Sequence, residues 1–450
     1  MEFFFSFSAF IVALGVLIVT HELGHFLVAR KCGIHVERFS IGFGKALWRK
    51  VDRHGTEFII AIIPLGGYVK MLDERLAYVT PERRHFAFNN KTVAQRAAVI
   101  SAGPIGNFLL AIFVYWLVFI IGIPSVRPVI EDIQGNSIAD KAGILPGMEF
   151  KSIDGTETPD WNSVYLALMS KIGHKELSVK VSSIDDAILL KKVIDLREWY
   201  FDPETQDPVL SLGIMPVSIR QDNIVRNIQP GSVAASSELK IGDRIIKVGE
   251  QIIDCWHPFT NFIRTHPNIP LLLTVERQGT KHQLILTPEV KRIAKGQLIG
   301  FTGIELSLIP IPDKYKITHQ HSLFDALKKA TDKTWQLIKL TVNMMGKLVT
   351  GDIKFTNLSG PVSIAKQASI SAGSGLIYYL MFIALISVNL GIVNLFPFPV
   401  LDGGHLLFLL IEKIKGKPVS ECVQNFSYRI GAIALILLMG LALFNDFSRL

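Results

Sequence analysis

Phe3-Phe-Phe-Ser-Phe-Ser-Ala-Phe-Ile-Val-Ala-Leu-Gly-Val-Leu-Ile-Val-Thr20 runs for eighteen residues without an Asp, Glu, Lys or Arg, and it ends directly on His21-Glu-Leu-Gly-His25. A helix rises about 1.5 Å per residue, so a stretch of this length nearly matches the ~30 Å hydrocarbon core of a bilayer. It reads as a membrane span with two histidines and a glutamate at its end. No Lys or Arg precedes it and no small-residue cleavage site follows its apolar run, so the segment is expected to be retained rather than removed as a signal peptide.

Three further stretches lack those four residue types: Ala97 to Val126, Gln367 to Leu401, and Ile430 to Asn445. The chain has 450 residues, 49% hydrophobic and 19% charged, which is too apolar for an ordinary soluble protein. Four spans with a large soluble part are expected. Thirteen Lys and Arg lie between the first two spans, from Arg30 to Arg96, and Lys413, Lys415, Lys417 and Arg429 lie between the last two. Both loops should therefore be cytoplasmic, and both termini and the segment from about Arg127 to Lys366 should face out. The net charge of +8 follows from this bias and gives no reason to expect nucleic acid. Cys32 and Cys422 fall in the cytoplasmic loops and Cys255 stands alone outside, so neither a structural disulfide nor a sulfur-ligated metal site is expected.

The external segment repeats with a period of about 95 residues. Pro128-Val-Ile-Glu-Asp-Ile-Gln-Gly-Asn-Ser-Ile-Ala-Asp-Lys-Ala-Gly-Ile-Leu-Pro-Gly147 returns as Asn223-Ile-Val-Arg-Asn-Ile-Gln-Pro-Gly-Ser-Val-Ala-Ala-Ser-Ser-Glu-Leu-Lys-Ile-Gly242. The layout resembles a tandem of PDZ domains, with the Gly-Asp-x-Ile turn present at Gly242 to Ile245 and altered to Gly147-Met-Glu-Phe in the first copy. Such modules take a peptide as an added strand, although a merely covering domain is an equal alternative. Beyond the repeat, Ser322 to Leu348 carries Leu323, Ala326, Leu327, Trp335, Ile338 and Val342 at helical spacing. It reads as an amphipathic helix on the outer membrane surface, or as one packed on the preceding domain. In the first cytoplasmic loop, Gly42, Gly44, Gly55, Gly66 and Gly67 punctuate apolar runs such as Glu57 to Ile63, which read as hairpin strands able to dip into the membrane where other protein satisfies their backbone.

His21-Glu-Leu-Gly-His25 is an H-E-x-x-H sequence. On a helix, positions four apart share a face, so both imidazoles can ligate one zinc ion, with Glu22 beside the metal's water as general base. A hydrolytic zinc site takes three protein ligands. The first and third spans run in the same direction, which brings Asp402, in Leu401-Asp-Gly-Gly404, to the depth of the histidine pair. His405 is a rival for the third place. The plain alternatives are polar residues snorkelling at a helix end, and a turn role for Asp402.

With His21 to His25, the Asn389 to Gly404 segment, the paired external repeats, the glycine-rich hairpin and Asn357-Leu-Ser-Gly-Pro361, the chain resembles the site-2 protease family of intramembrane metalloproteases over essentially its whole length. The resemblance implies Zn²⁺ held by His21, His25 and Asp402, with Glu22 catalytic. It implies as substrate the transmembrane segment of an anti-sigma factor already trimmed outside the membrane, in an envelope-stress response, with remnant signal peptides as a second class. It also tips Asn389 and Asn394 toward contact with an unwound substrate rather than helix packing.

The expected architecture is a polytopic α-helical membrane protein of a bacterial inner membrane, with four transmembrane helices, a cytoplasmic or re-entrant β-hairpin region and two periplasmic PDZ-like α/β domains. Its boundaries are 1–28 for the first span, 29–96 for the hairpin loop, 97–126 for the second span, 127–220 and 221–309 for the two domains, 310–370 for the amphipathic segment, 371–402 for the third span, 403–428 for a loop and 429–446 for the fourth span. A helix cannot be cut while its carbonyls are bonded, so a substrate must unwind, and the hairpin around Glu57 to Ile63 could receive it as an added strand. The rivals are a non-catalytic membrane scaffold or sensor, which has no need of Glu22, and a zinc transporter, which would need ionisable residues across several spans.

Overall fold

The computed structural model describes residues 2–75, 78–183, 188–199, 206–218, 220–253, 256–292, 298–350 and 360–448. Cys255 and the Asn357 to Ser359 part of the stretch before the third span lie outside them. The chain divides into two compact units, Met1–Ile123 with His319–Leu450, and Pro124–Thr318.

In the first unit, four helices are long and apolar enough to cross a membrane: Phe7–Lys31, Val93–Ile121, Leu376–Leu395 and Glu421–Ser448. The first helix continues past His25 to Lys31, so the histidine pair lies within regular helix rather than at a frayed end. The second begins with a capping box in which the Thr92 hydroxyl accepts from the Gln95 backbone N–H and the Gln95 side chain accepts from that of Thr92. The charge-free stretch from Gln367 to Leu401 is not one span. A helix over Pro361–Gly373 stops before Gly375, whose φ of +120° only glycine adopts cheaply, and the span proper then runs from Leu376 to Leu395. Pro397 and Pro399 end it, since the residue before a proline is pushed out of helical geometry. Near the far end of the fourth helix, the buried Asp446 carboxylate accepts from the backbone N–H groups of Gly360, Val362 and Ser363 at 2.9–3.0 Å, capping the Pro361–Gly373 helix.

The amphipathic helix, Leu323–Thr350, packs along the second and third spans. Its contact stripe is made of small residues, Ala326, Ala330 and Thr334, all nearly inaccessible, continuing through Ile338 to Met345. The Ala330 to Met345 part packs against Ala111, Val114 and Tyr115 of the second span and Ala384 and Val388 of the third. Leu323, Leu327, Trp335 and Val342, the bulky residues that suggested a membrane-lying face, are the exposed ones. Small side chains let helix backbones approach closely where lipid offers no hydrophobic drive for association.

The loop between the first two spans forms two long antiparallel strands, Val36–Val51 and Glu57–Met71, each folded back on itself. Arg38 to Ile41 pair on one edge with Gly67 to Lys70 and on the other with Glu57 to Ile60, which pair in turn with Trp48 to Val51. Glu57 to Ile60 are therefore an inner segment with both edges taken, so an added strand has to use another edge of the hairpin. Among the described residues the Gly67 to Met71 segment pairs on one side alone.

In the second unit the sequence repeat is matched bond for bond. Gly147 N–H donates to the Ile130 carbonyl as Gly242 does to Val225, Gln134 pairs with Gly213 as Gln229 does with Gly303, and Ala139 donates to Leu212 as Ala234 does to Thr302. Each copy has its own apolar core, one around Phe150, Leu177 and Ile214, the other around Phe259, Leu273 and Ile245. The residue after the turn glycine explains one departure between the copies. Asp243 is buried and takes two bonds at 2.7 Å from Arg277, one from Nε and one from Nη2. Burial pushes its carboxyl up, but Arg277 and the Lys240 backbone N–H outweigh that and hold it below the usual carboxylate range. Met148 occupies the matching place in the first copy, so the aspartate serves that fold's internal ion pair.

Candidate metal centre

His21 and His25 stand one turn apart on the first span, and the second span packs closely enough to reach both. Glycine makes this approach possible. A Cβ on Gly103 would lie 2.3 Å from His25 Nε2 and 2.8 Å from His21 Cε1, and one on Gly24 would lie 2.2 Å from the Ala102 carbonyl oxygen. No side chain fits at either place. Pro104 follows Gly103 inside the same helix and lacks the N–H that would bond the Ile100 carbonyl.

The second span also orients both rings. His25 Nδ1 lies 2.8 Å from the Val99 carbonyl, which can only accept, so the proton is on Nδ1 and the Nε2 lone pair is free. His21 Nδ1 lies 3.2 Å from the Asn107 amide. Both Nε2 atoms converge, 3.1 Å apart.

Asp402 completes the set. The prolines end the third span at Leu395, and a tight turn returns the chain so closely that a Cβ on Gly403 would lie 2.2 Å from the Leu395 carbonyl oxygen. Asp402 then opens the helix Asp402–Lys415 with its Oδ2 at 3.2 Å from His21 Nε2 and 3.5 Å from His25 Nε2.

The donor set fits zinc. Ligands about 2.0–2.1 Å from a tetrahedral centre are separated by about 3.3 Å, and the three observed separations, 3.1, 3.2 and 3.5 Å, bracket that value. Asp402 Oδ2 is buried and has no hydrogen-bond partner among the described residues, which a bound cation would supply. His405 lies outside this group of converging donor atoms, and its Nδ1 lies 3.1 Å from the Tyr428 hydroxyl.

Glu22 follows His21 and lines the same cavity of about 720 Å³, together with the three donors, His405, Tyr428 and the Gly67 to Met71 strand segment. Gly67 is held against it, since a Cβ there would lie 3.0 Å from Glu22 Cγ. The structure thus brings together His21, Glu22, His25 and Asp402. Asn389 and Asn394 lie away from the cavity wall. Asn389 Oδ1 accepts from the Thr341 hydroxyl at 2.9 Å, while Asn394 makes no side-chain hydrogen bond among the described residues. The residues that sequence reasoning passed over are Val99, Gly103 and Asn107, because Gly-Pro-x-x-Asn in an apolar run carries no charge to draw notice.

A family profile described as peptidase family M50 matches residues 9–438. Over 450 residues and the full length of both chains, this sequence is 61% identical to Protease RseP of Yersinia pestis and 59% identical to the regulator of sigma-E protease RseP of Escherichia coli K12. It is 47% identical, again over the full length, to a Vibrio cholerae protein named as a candidate zinc metalloprotease.

Proposed function

The chain belongs to peptidase family M50 and is a zinc metalloprotease with four helices fit to cross a membrane; from that premise we propose that it cuts membrane-spanning segments at His21, Glu22, His25 and Asp402. The observation that carries the reading is the convergence of two Nε2 atoms and one partnerless carboxylate oxygen within a cavity among those helices.

His21, His25 and Asp402 would hold the zinc, which when bound lowers the pKa of water and polarises a carbonyl. Glu22 would take the proton from the attacking water and return it to the leaving amine, which needs only a carboxylate beside the metal face of the cavity. The three donors would fix the position of attack because the Gly24 and Gly103 contacts hold the histidine helix against the second span and the Arg96–Glu412 pair holds the Asp402 helix to that same span. An intact helix offers no accessible carbonyl, so the substrate must unwind. The Gly67 to Met71 segment lines the cavity and pairs on one side alone, which suits it to hold the extended chain as an added strand. Asn394, and the amide N–H groups of Asn389, would bond backbone of the unwound segment.

The physiological substrate would be the trimmed span of an anti-sigma factor, in keeping with relatives named for regulating sigma-E, with signal-peptide remnants as a second class. The protein would sit in a bacterial inner membrane with its termini and repeats in the periplasm, a reading supported by the Lys and Arg of the first loop. The two repeats, read as PDZ-like domains, would exclude substrates that still carry a large external domain. A non-catalytic scaffold is the other reading, but it gives no role to Glu22. The test is zinc content together with cleavage of a single-span substrate, wild type against Glu22→Gln. Zinc retained with turnover reduced by several orders of magnitude is expected, and undiminished cleavage would remove Glu22 as the base.

A further inference from the structure

The two zinc histidines each need a partner for the ring nitrogen that faces away from the metal, and the second span supplies both. Val99, Gly103 and Asn107 form a stripe at four-residue spacing. Val99 serves His25, Gly103 makes room, and Asn107 meets His21. Asn107 is fully buried in a stretch, Ala97 to Val126, free of Asp, Glu, Lys and Arg, and its Oδ1 has no partner among the described residues while its Nδ2 sits 3.2 Å from His21 Nδ1. Those two atoms are interchangeable by rotating the amide. The chemistry of the ring decides between them. His21 turns Nε2 toward His25 and Asp402, so a neutral, ligating imidazole must carry its proton on Nδ1 and needs an acceptor there.

We propose that Asn107 is a positioning residue of the metal centre, its amide oxygen accepting the His21 Nδ1–H and so fixing the tautomer and ring orientation that present Nε2 to zinc. The inference rests on the zinc reading of His21, His25 and Asp402 given above. The Asn107 backbone is itself held, because its carbonyl accepts from the Ser387 hydroxyl of the third span at 2.7 Å. The second span therefore acts as a rigid template carrying one acceptor for each histidine. Val99 uses a main-chain carbonyl that no side-chain substitution removes, whereas Asn107 uses a side chain, so the His21 half can be tested by mutation.

The experiment measures zinc affinity of the purified full chain by competition with a chromophoric chelator, for wild type, Asn107→Leu and Asn107→Asp, alongside thermal melting of each chain stripped of metal. Leu is close in size and cannot accept, while Asp keeps the acceptor. Asn107→Leu should bind zinc about 10- to 100-fold more weakly, Asn107→Asp should stay within a few-fold of wild type, and the metal-free Asn107→Leu melt should match wild type. Unchanged zinc affinity in Asn107→Leu overturns the proposal. So does a loss of affinity accompanied by an equal fall in metal-free stability, which marks a packing role. If the Asp variant does not fold, the Leu variant decides by the same two readings. A wild-type chain that binds no zinc instead sinks the metal centre itself.

Discussion

Arg96 and Glu412 lock the helix that begins at Asp402 onto the span that orients the histidines. Arg96 Nη2 and Nη1 donate to the two Glu412 oxygens at 2.5 and 3.1 Å, and Arg96 Nε donates to the Lys91 carbonyl at 3.1 Å. Arg96 lies in the first turns of the second span, one helical turn before Val99, and is 8% exposed. His21 and His25 belong to the first span and Asp402 to its own helix, so this fork holds two of the three bodies of the candidate centre in register.

Removing one member of such a pair leaves the other charge poorly solvated. Arg96→Met should cost about 3 kcal/mol of stability, by the usual effect of breaking a largely buried pair, and should lower zinc occupancy. Thermal melting and metal analysis of the single variants and of Arg96→Met with Glu412→Leu would show it. The double variant should recover much of the stability lost in either single change, and simple additivity would mean that the pair does not couple the helices.

A second prediction concerns the space at Gly103. A methyl group there would fall 2.3 Å from His25 Nε2, the atom that turns toward His21 Nε2 and Asp402. Gly103→Ala should therefore abolish zinc binding and proteolysis. Zinc analysis after purification checks it, and near-normal occupancy would show that the two spans can separate without loss of the centre.

The third ligand can be settled by paired substitutions. Asp402 Oδ2 is within 3.5 Å of both Nε2 atoms, whereas His405 is engaged with Tyr428. Asp402→Asn should lower zinc occupancy by at least tenfold, and His405→Ala should leave it unchanged. The reverse pattern, read by metal analysis, would move the role to His405.

The residues legible in the sequence were those whose type is costly in a membrane. His21, Glu22 and His25 stand out because ionisable groups at a span demand a reason; two spans expected to run the same way bring both Asp402 and His405 to one depth, and the choice of Asp402 rested on the family resemblance. Gly103 and Asn107 were not legible, since glycine in an apolar helix is equally well a packing residue and asparagine carries no charge. The packing partner of the Leu323–Thr350 helix was not legible for a related reason: periodicity shows that a helix has two faces, but not which of them meets another helix. There the small Ala326, Ala330 and Thr334 marked the contact, and hydrophobicity scales give such residues little weight. The Gly375 break inside a charge-free run was hidden because no charged residue marks it; only the excess length of the run, beyond what one tilted span needs, pointed to it.

The last prediction separates Asn389 from Asn394. Thr341 donates to Asn389 Oδ1 at 2.9 Å, a bond between the amphipathic helix and the third span inside a packed apolar seam. Cutting it by Thr341→Val leaves a half-buried carbonyl oxygen without its donor while preserving shape, which costs about 1 kcal/mol. Asn389→Ala should therefore lower the melting temperature, and Thr341→Val should lower it by a similar amount, with the double variant no worse than either alone. Asn394 has no such tie among the described residues. Asn394→Ala should leave melting and zinc content within error of wild type and reduce cleavage of spans by tenfold or more, chiefly through KM if its bonds to the unwound chain are already made in the bound state. A fall in stability for Asn394→Ala that tracks its loss of activity would assign it to the scaffold. An Asn389→Ala chain that melts normally yet fails to cleave would show instead that its amide N–H groups meet the substrate and that the Thr341 bond is incidental.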